Sequence, residues 1–496
     1  MRAKKSTAWA SPVSVERLRF KLVSDERRVI ALPFMFGAEG RLQRLAEGIE
    51  GLSEAEVQTA VRGILDRFGG RHVDLCRVFE ENYAAAADLG HCRKDLSRDR
   101  QLLMGGYVTM EFSIESTALF NPSITPHPDQ AGVPAGALRF IMSLRATGEG
   151  HVSSIVFRTG QIDAHHRVHL DPPARFSAQT RLAPSQYYVK PLFRRKLGEM
   201  GVNLKAVDAV IGSLPDTFTM VQLDEAIGRA RRPGRSPIGQ TKAVESMRWL
   251  ANANYQLELE EGKEVSAAVI FPRSPSEARG VEDLRLVRFV DDDGAVTYYG
   301  TYTGHDGYHM LPLMIETKDF RRFEVHTLNG SCAQNKGLAL FPRRIGGHYV
   351  MCSRIDGQNL FVMYSDMVHF WESAEQLASP RYAWELNLIG NCGSPIETPE
   401  GWLLLTHGVG PMRRYCIGAM LLDLEDPLRV IGRLREPLIA PTEKEREGYV
   451  PNVVYSCGAL VHQGRLYLPY AKADRATLMA SVALDELLGR LLDRGA

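Results

Sequence analysis

No apolar stretch in the 496 residues approaches the roughly 18 that a membrane-crossing helix requires. The basic start, Met1-Arg-Ala-Lys-Lys-Ser-Thr-Ala-Trp9, has no apolar segment behind it, so a secretory signal is not expected there. An excess of either charge is missing too: 60 Lys+Arg stand against 59 Asp+Glu, a net charge of +1. That balance supplies no long-range field toward nucleic acid or an anionic membrane, and neither is expected as a partner. Clustered cysteine is a further absence. Cys76, Cys92, Cys332, Cys352, Cys392, Cys416 and Cys457 are odd in number, dispersed and never spaced C-x-x-C. This excludes a zinc knuckle and a disulfide framework, and leaves free thiols suited to a reducing cytoplasm. Nor is there a phosphate-binding P-loop, a G-x-S-x-G elbow or a dinucleotide fingerprint after a strand.

What remains is ordinary globular composition, 44% hydrophobic and 24% charged, at a length that allows two or three domains. Residues 1–110 read as mostly helical. Ser53 and Glu56 form a capping box, and Val57, Val61, Ile64, Leu65 and Phe68 follow at helical spacing until Gly69-Gly70. Segments 39–50 and 72–89 read the same way. A second helical stretch, about 195–235, carries Leu197, Val207, Val210, Ile211, Leu223 and Ile227. The rest, from 111 to 490, is β-rich.

The β-rich part repeats a glycine turn, a strand ending in a polar residue, a short turn and a second strand. The strands run to Arg145 after Gly136, to Thr303 after Gly294, to Arg354 after Gly347, to His407 after Gly401 and to Lys472 after Gly464. The last four glycines are spaced 53, 54 and 63 residues apart, and 158 residues separate Gly136 from Gly294. A period near 50 with several strands per unit predicts a β-propeller. Five repeats predict five blades, with the helical stretch inserted between the first two. The competing reading is a chance run of hairpins in a sandwich.

In a propeller the inner strands line one channel, so polar residues recurring on them converge. Asp283 and Lys336 each precede a turn glycine by 11 residues, and Arg145, Arg354, His407 and Lys472 close outgoing strands. Asn121 and Glu397 occupy comparable incoming positions. Any one of these alone reads as a solvated strand end; their repetition makes a pocket of carboxylates, cations, a histidine and amides. Such a pocket binds phosphate or another oxyanion through charge-assisted hydrogen bonds, and a carboxylic acid beside it can protonate a leaving oxygen. A second carboxylate activating water would make a hydrolase. On residue chemistry alone, hydrolysis and phosphorolysis of a glycoside both stay open, as does a non-catalytic carbohydrate-binding propeller. His305-Asp-Gly-Tyr-His309 spaces two histidines for a metal, but Gly307 puts them in a turn without a third ligand, and no metal is expected. His165-His166 reads as an exposed loop pair, and Glu443-Lys-Glu-Arg-Glu447 as a charged loop whose last member reaches the pocket.

Several stretches resemble glycoside hydrolase family 130, the β-mannoside phosphorylases and related mannosidases. They are Gly280-Val-Glu-Asp-Leu-Arg285, Lys336 to Pro342, Tyr349 to Arg354, Ser394-Pro-Ile-Glu-Thr-Pro-Glu-Gly-Trp402, His407-Gly-Val409, Gly418 to Pro427, Val450-Pro-Asn-Val-Val-Tyr-Ser-Cys-Gly458, Asp474 and Leu484 to Leu488. The resemblance implies a five-bladed propeller and an inverting phosphorylase with inorganic phosphate as co-substrate and no cofactor. It implies Asp283 as general acid, acting by way of a sugar hydroxyl, and Lys336, Arg354, His407 and Tyr415 as phosphate ligands. Asn121, Ser123, Arg145, Glu282, Glu397, Glu447 and Asp474 are implied around the mannoside. Leu284, Gly337 and Cys416 depart from the family's usual residues at their positions. The two helical regions lie outside the family's compact core and could shape the acceptor site or support a homo-oligomer.

Overall fold

The computed structural model describes residues 13–34, 40–90, 93–183, 187–230 and 238–492, with side chains resuming at Lys242 after the last break. Residues 1–12, Cys92 and the 231–235 end of the anticipated insertion lie outside the described residues. The chain is mainly β, and all five glycine-led hairpins form. They pair Leu138–Thr147 with Ser153–Ile162, Val296–His305 with Met310–Thr317, Tyr349–Ser353 with Leu360–Ser365, Gly401–Val409 with Tyr415–Leu422, and Arg465–Lys472 with Ala476–Ala483. Gly136, Gly294, Gly347, Gly401 and Gly464 all have positive φ, where a Cβ is disfavoured.

Each hairpin is extended by flanking strands into an antiparallel meander. The incoming strands are Ala118–Pro126, Gly280–Val290, Ala339–Leu340, the split pair Leu388–Asn391 and Ile396–Thr398, and the pair Val454–Tyr455 and Leu460–His462. Apolar clusters join the first meander to the second, second to third, third to fourth, fourth to fifth, and fifth back to the first. The strand Gly401–Val409 shows why its sequence does not alternate. Leu403 and Leu405 face the fifth meander while Trp402 and Leu404 face the third, so both faces are buried.

The N-terminal region is mostly helical but also carries strands. Four helices, Arg41–Glu50, Glu54–Phe68, Leu75–Asp88 and Arg98–Tyr107, share a core, and the Ser53–Glu56 capping box is made in both directions. The strand Glu16–Leu22, however, pairs with Ala476–Ala483 and completes the fifth meander. Val29–Pro33 pairs with Thr109–Ser113. Between them, Arg28 reaches the fully buried Glu115, which also binds Arg158 at 2.6 Å. The second helical region holds four helices, Lys190–Glu199, Leu204–Ile211, Met220–Ala230 and Ile238–Asn252, and so runs past its predicted end. They share a core of their own, and Lys196 Nζ donates to the carbonyl of Leu328 at the edge of the second meander.

Of the described cysteines, Cys352, Cys392, Cys416 and Cys457 are buried, Cys76 and Cys332 half-buried, and all six are free. Among the described residues no helix is long and apolar enough to cross a membrane.

Candidate active site

Two β-bulges face each other where the first and second meanders meet. The register of Ala118–Pro126 shifts between Phe120 and Ser123, and that of Gly280–Val290 shifts between Glu282 and Arg285. Asn121 and Asp283 sit in these bulges with φ of 47° and 58°. A bulge bends a strand and re-aims a side chain, and the result here is direct. Asn121 Nδ2 donates to Asp283 Oδ1 at 2.7 Å, with both residues buried. Ala473 and Asp474, in the tight turn of the fifth hairpin, also adopt positive φ, as do Asn335 beside Lys336 and Asn452 beside Tyr415. Six of the twelve non-glycine residues with positive φ among the described residues thus lie in or beside this group, as strained backbone often does at functional sites.

Cations surround Asp283. Arg145 Nη1 lies 3.5 Å from Asp283 Oδ1, while Arg145 Nη2 donates to Glu282 Oε1 at 2.8 Å and Lys336 Nζ lies 3.8 Å from Glu282 Oε2. Arg285 donates to the Asp283 carbonyl at 3.0 Å and to the Tyr455 hydroxyl. Burial pushes the Asp283 carboxyl up, but Arg145, Arg285, Lys336 and the Asn121 amide outweigh it and hold the pKa below the usual carboxylate range. Asp474 goes the other way. Burial, with the charge of Asp283 next in size, raises it to about 6.

His407 closes the other side. Its Nδ1 lies 3.0 Å from the carbonyl of Asn391, which can only accept, so Nδ1 carries the proton. Nε2 therefore presents a lone pair, and Arg354 Nη1 donates to it at 3.3 Å. Burial first, then Arg354 and Arg285, lower the His407 pKa well below the usual value, so the ring is neutral. Arg354 Nε is buried with no hydrogen-bond partner, an unspent donor beside the ring. The Tyr415 ring stacks over His407 at 6.1 Å between centroids, and Tyr455 meets it edge-on at 4.9 Å.

Asp283, Asn121, Arg145, Glu282, Lys336, Arg354, His407, Tyr415 and Asp474 are thus gathered around one centre. Ser123 adjoins it but is fully buried, its Oγ accepting from the Leu286 N–H at 3.0 Å to tie the two bulged strands. Glu447 is exposed on the loop whose Gly448 meets Ala473. Glu397 is not brought in. It pairs with Trp402 at the start of Gly401–Val409, five residues and about 17 Å of strand from His407, and its carboxylate binds Arg343. The split of the incoming strand accounts for this, because Gly390 and Asn391 rather than Glu397 stand across from His407 and Thr406. Arg285, Tyr455 and Asn391 are the site residues that spacing did not single out. The first two fall inside the matched stretches, whereas Asn391 acts through its backbone carbonyl, which no side-chain pattern records.

A buried carboxyl flanked by guanidinium groups, an ammonium, a neutral histidine and tyrosines can hold an oxyanion and pass a proton across it. The sequence family described as beta-1,4-mannooligosaccharide phosphorylase matches residues 253–492. A 1,2-beta-oligomannan phosphorylase of Thermoanaerobacter sp. is 36% identical over 227 residues, covering 44% of this chain and 73% of that protein. The chain belongs to glycoside hydrolase family 130. A second Thermoanaerobacter relative, a beta-1,2-mannobiose phosphorylase, is 35% identical over 42% of this chain and 68% of its own length. A solved beta-1,2-mannobiose phosphorylase from Listeria innocua aligns with 77% of this chain and 93% of its own, at 20% identity and a TM-score of 0.44. The family-130 match contains Asp283, Lys336, Arg354, His407, Tyr415 and Asp474, while Asn121 and Arg145 come from the chain ahead of it.

Proposed function

We propose that the five meanders form a five-bladed propeller, with the second helical region inserted between its first two blades. We propose that residues 111–490, joined by the strand Glu16–Leu22, are its catalytic domain, with the helices between Arg41 and Tyr107 forming an N-terminal region beside it. In its central pocket the chain cleaves a β-mannoside with inorganic phosphate, giving α-mannose 1-phosphate and a free sugar. The observation that supports this best is the gathering of the Asp283 carboxyl with Arg145, Lys336, Arg354 and the neutral His407 around one centre. Phosphate held by Lys336, Arg354, His407 and Tyr415 attacks the anomeric carbon. The new C–O bond forms on the face opposite the breaking glycosidic C–O bond, so configuration inverts. Asp283 supplies the proton to the leaving oxygen by way of a sugar hydroxyl. Asn121, Arg145, Glu282 and Asp474 surround the mannosyl ring. The low proton affinity of Asp283 fits this order of events, because an arriving phosphate dianion offsets Arg145, Arg285 and Lys336 and lets the carboxyl take its proton.

No cofactor enters the proposed reaction besides phosphate. Six free thiols accord with a reducing, cytoplasmic setting. A hydrolase would need Glu397 or Glu447 to activate water; Glu397 is spent on Arg343 at the far end of its strand, and Glu447 is exposed on its loop. The test is incubation with α-mannose 1-phosphate and a panel of sugar acceptors. Phosphate release is expected with at least one acceptor, and Asp283→Asn is expected to lower it by at least about a hundredfold while the melting transition persists. Mannose release from β-mannosides without phosphate would reverse the assignment to hydrolysis.

A further inference from the structure

Away from this pocket, Glu316, His326 and His369 direct one ligand atom each into a common space, all within 4.8 Å of one another. We propose that these three residues bind one divalent transition-metal ion of the zinc class, at the seam of the second and third meanders.

The backbone brings them together. Glu316 lies on Met310–Thr317 and His326 on the neighbouring Arg322–Thr327, where Glu316 pairs with Glu324 and His326 with Met314. They are therefore diagonal neighbours on one face of the sheet, within reach of long side chains. His369 comes from the third meander on a short connection, pinned by the Asn329 N–H to the His369 carbonyl at 2.8 Å and by the Trp371 N–H to the Asn329 carbonyl at 2.7 Å. Both imidazoles aim Nε2 at the same carboxylate oxygen, Glu316 Oε1: His326 from 3.8 Å and His369 in direct contact. The two rings lie 4.4 Å apart between centroids. One carboxylate oxygen has lone pairs for both imidazoles, and the same donor atoms converge closely enough for a single cation to replace the shared protons.

Two neutral imidazoles and a carboxylate are a donor set that suits zinc, with a fourth position open. Donors held at zinc bond lengths of about 2.0–2.2 Å stand about 3.4 Å apart around the ion, so His369 would back away from Glu316 Oε1 while His326 drew in. Glu324, 3.5 Å from His326 Nε2, is near enough to supply the fourth ligand. All three donors are half-buried and line a cavity of about 380 Å³ beneath Tyr188 and Phe193 of the second helical region, which gives an ion an entry path. No motif spacing joins these residues, because they come from two strands and a loop of different repeats.

The inference is independent of the proposed reaction. Full-length protein stripped with a chelator is titrated with Zn²⁺ against a chromophoric competitor, and with Co²⁺ by visible absorption. One equivalent at micromolar or tighter affinity is expected, with a cobalt spectrum of low-symmetry, four- or five-coordinate type. His326→Ala and the size-conserving His369→Gln should each weaken binding roughly tenfold or more, whereas His407→Gln, in the other pocket, should leave it unchanged. Melting curves identify any variant that has lost its fold, and the wild-type stoichiometry stands without the variants. Absence of stoichiometric binding by wild type overturns the proposal. So does binding that persists in both folded histidine variants or disappears in folded His407→Gln.

Discussion

Asp283 and Asp474 are carboxylic acids in one pocket, both within the influence of Arg145, yet their proton affinities are drawn apart. Asp283 is engaged by Asn121 and the guanidinium groups, while at Asp474 burial and the charge of Asp283 outweigh Arg145, Arg413 and Lys336. An aspartate raised to about 6 binds its proton more tightly folded than unfolded, where the reference is about 3.9. It therefore adds nothing unfavourable below about pH 4, and its cost grows as pH rises toward 6 and stays above it. Two pKa units correspond to about 3 kcal/mol, and partial exposure reduces this to about 1–2 kcal/mol. Asp474→Asn should accordingly stabilise the protein by about 1–2 kcal/mol at pH 8 and by little at pH 4, read from denaturant melts. An equal effect at both pH values would sink the argument. The same substitution should slow turnover, as expected where a site keeps charges that the fold would shed.

At the scale of the strand, His407 is held by what lies across from it. Gly390 is its cross-strand partner, and a Cβ there would stand 2.4 Å from His407 Cε1 and 2.7 Å from Nε2. Gly390→Ala must therefore move the ring and misdirect the lone pair that faces Arg354. We expect the KM for phosphate to rise about tenfold, near 1.4 kcal/mol, with the fold retained. Saturation by phosphate at the wild-type concentration would count against the role given to Nε2. Strands were also where the sequence was most and least informative. Turn glycines and apolar runs located all five hairpins, because positive φ and two buried faces leave compositional traces. The bulges at Asn121 and Asp283 left none, since an extra residue changes register without changing composition. Glu397 lies apart from the gathered residues for a related reason: spacing orders residues along a chain but does not reveal that the incoming strand is broken at 392–395.

For the molecule as a whole, the join between Glu16–Leu22 and Ala476–Ala483 has the greatest structural weight. Val13 and Phe20 are buried against the last meander and the first, so this segment covers apolar surface as well as a strand edge. Removing residues through Leu22 would leave an unpaired edge of the kind that invites association. The truncated protein is expected to melt earlier and to scatter light on concentration, and a peptide of residues 13–22 added in trans should partly restore the transition. A truncated chain with unchanged melting and no association would show that the join is dispensable. The sequence ERLRFKL is short and mixed in character, so its strand character was not legible without a partner 465 residues away.

That distance also fixes an order in time. The strand Glu16–Leu22 leaves the ribosome hundreds of residues before the hairpin it must join, at synthesis rates of about 5–20 residues per second. For some tens of seconds it has no native partner. The final meander can be completed only when almost the whole chain has emerged, by closing one of the longest loops the sequence permits. Until then the growing protein carries Glu16–Leu22 as an unpaired strand. The charges of Arg17, Arg19 and Lys21, alternating along the early strand, are well placed to keep it from finding a wrong neighbour while it waits.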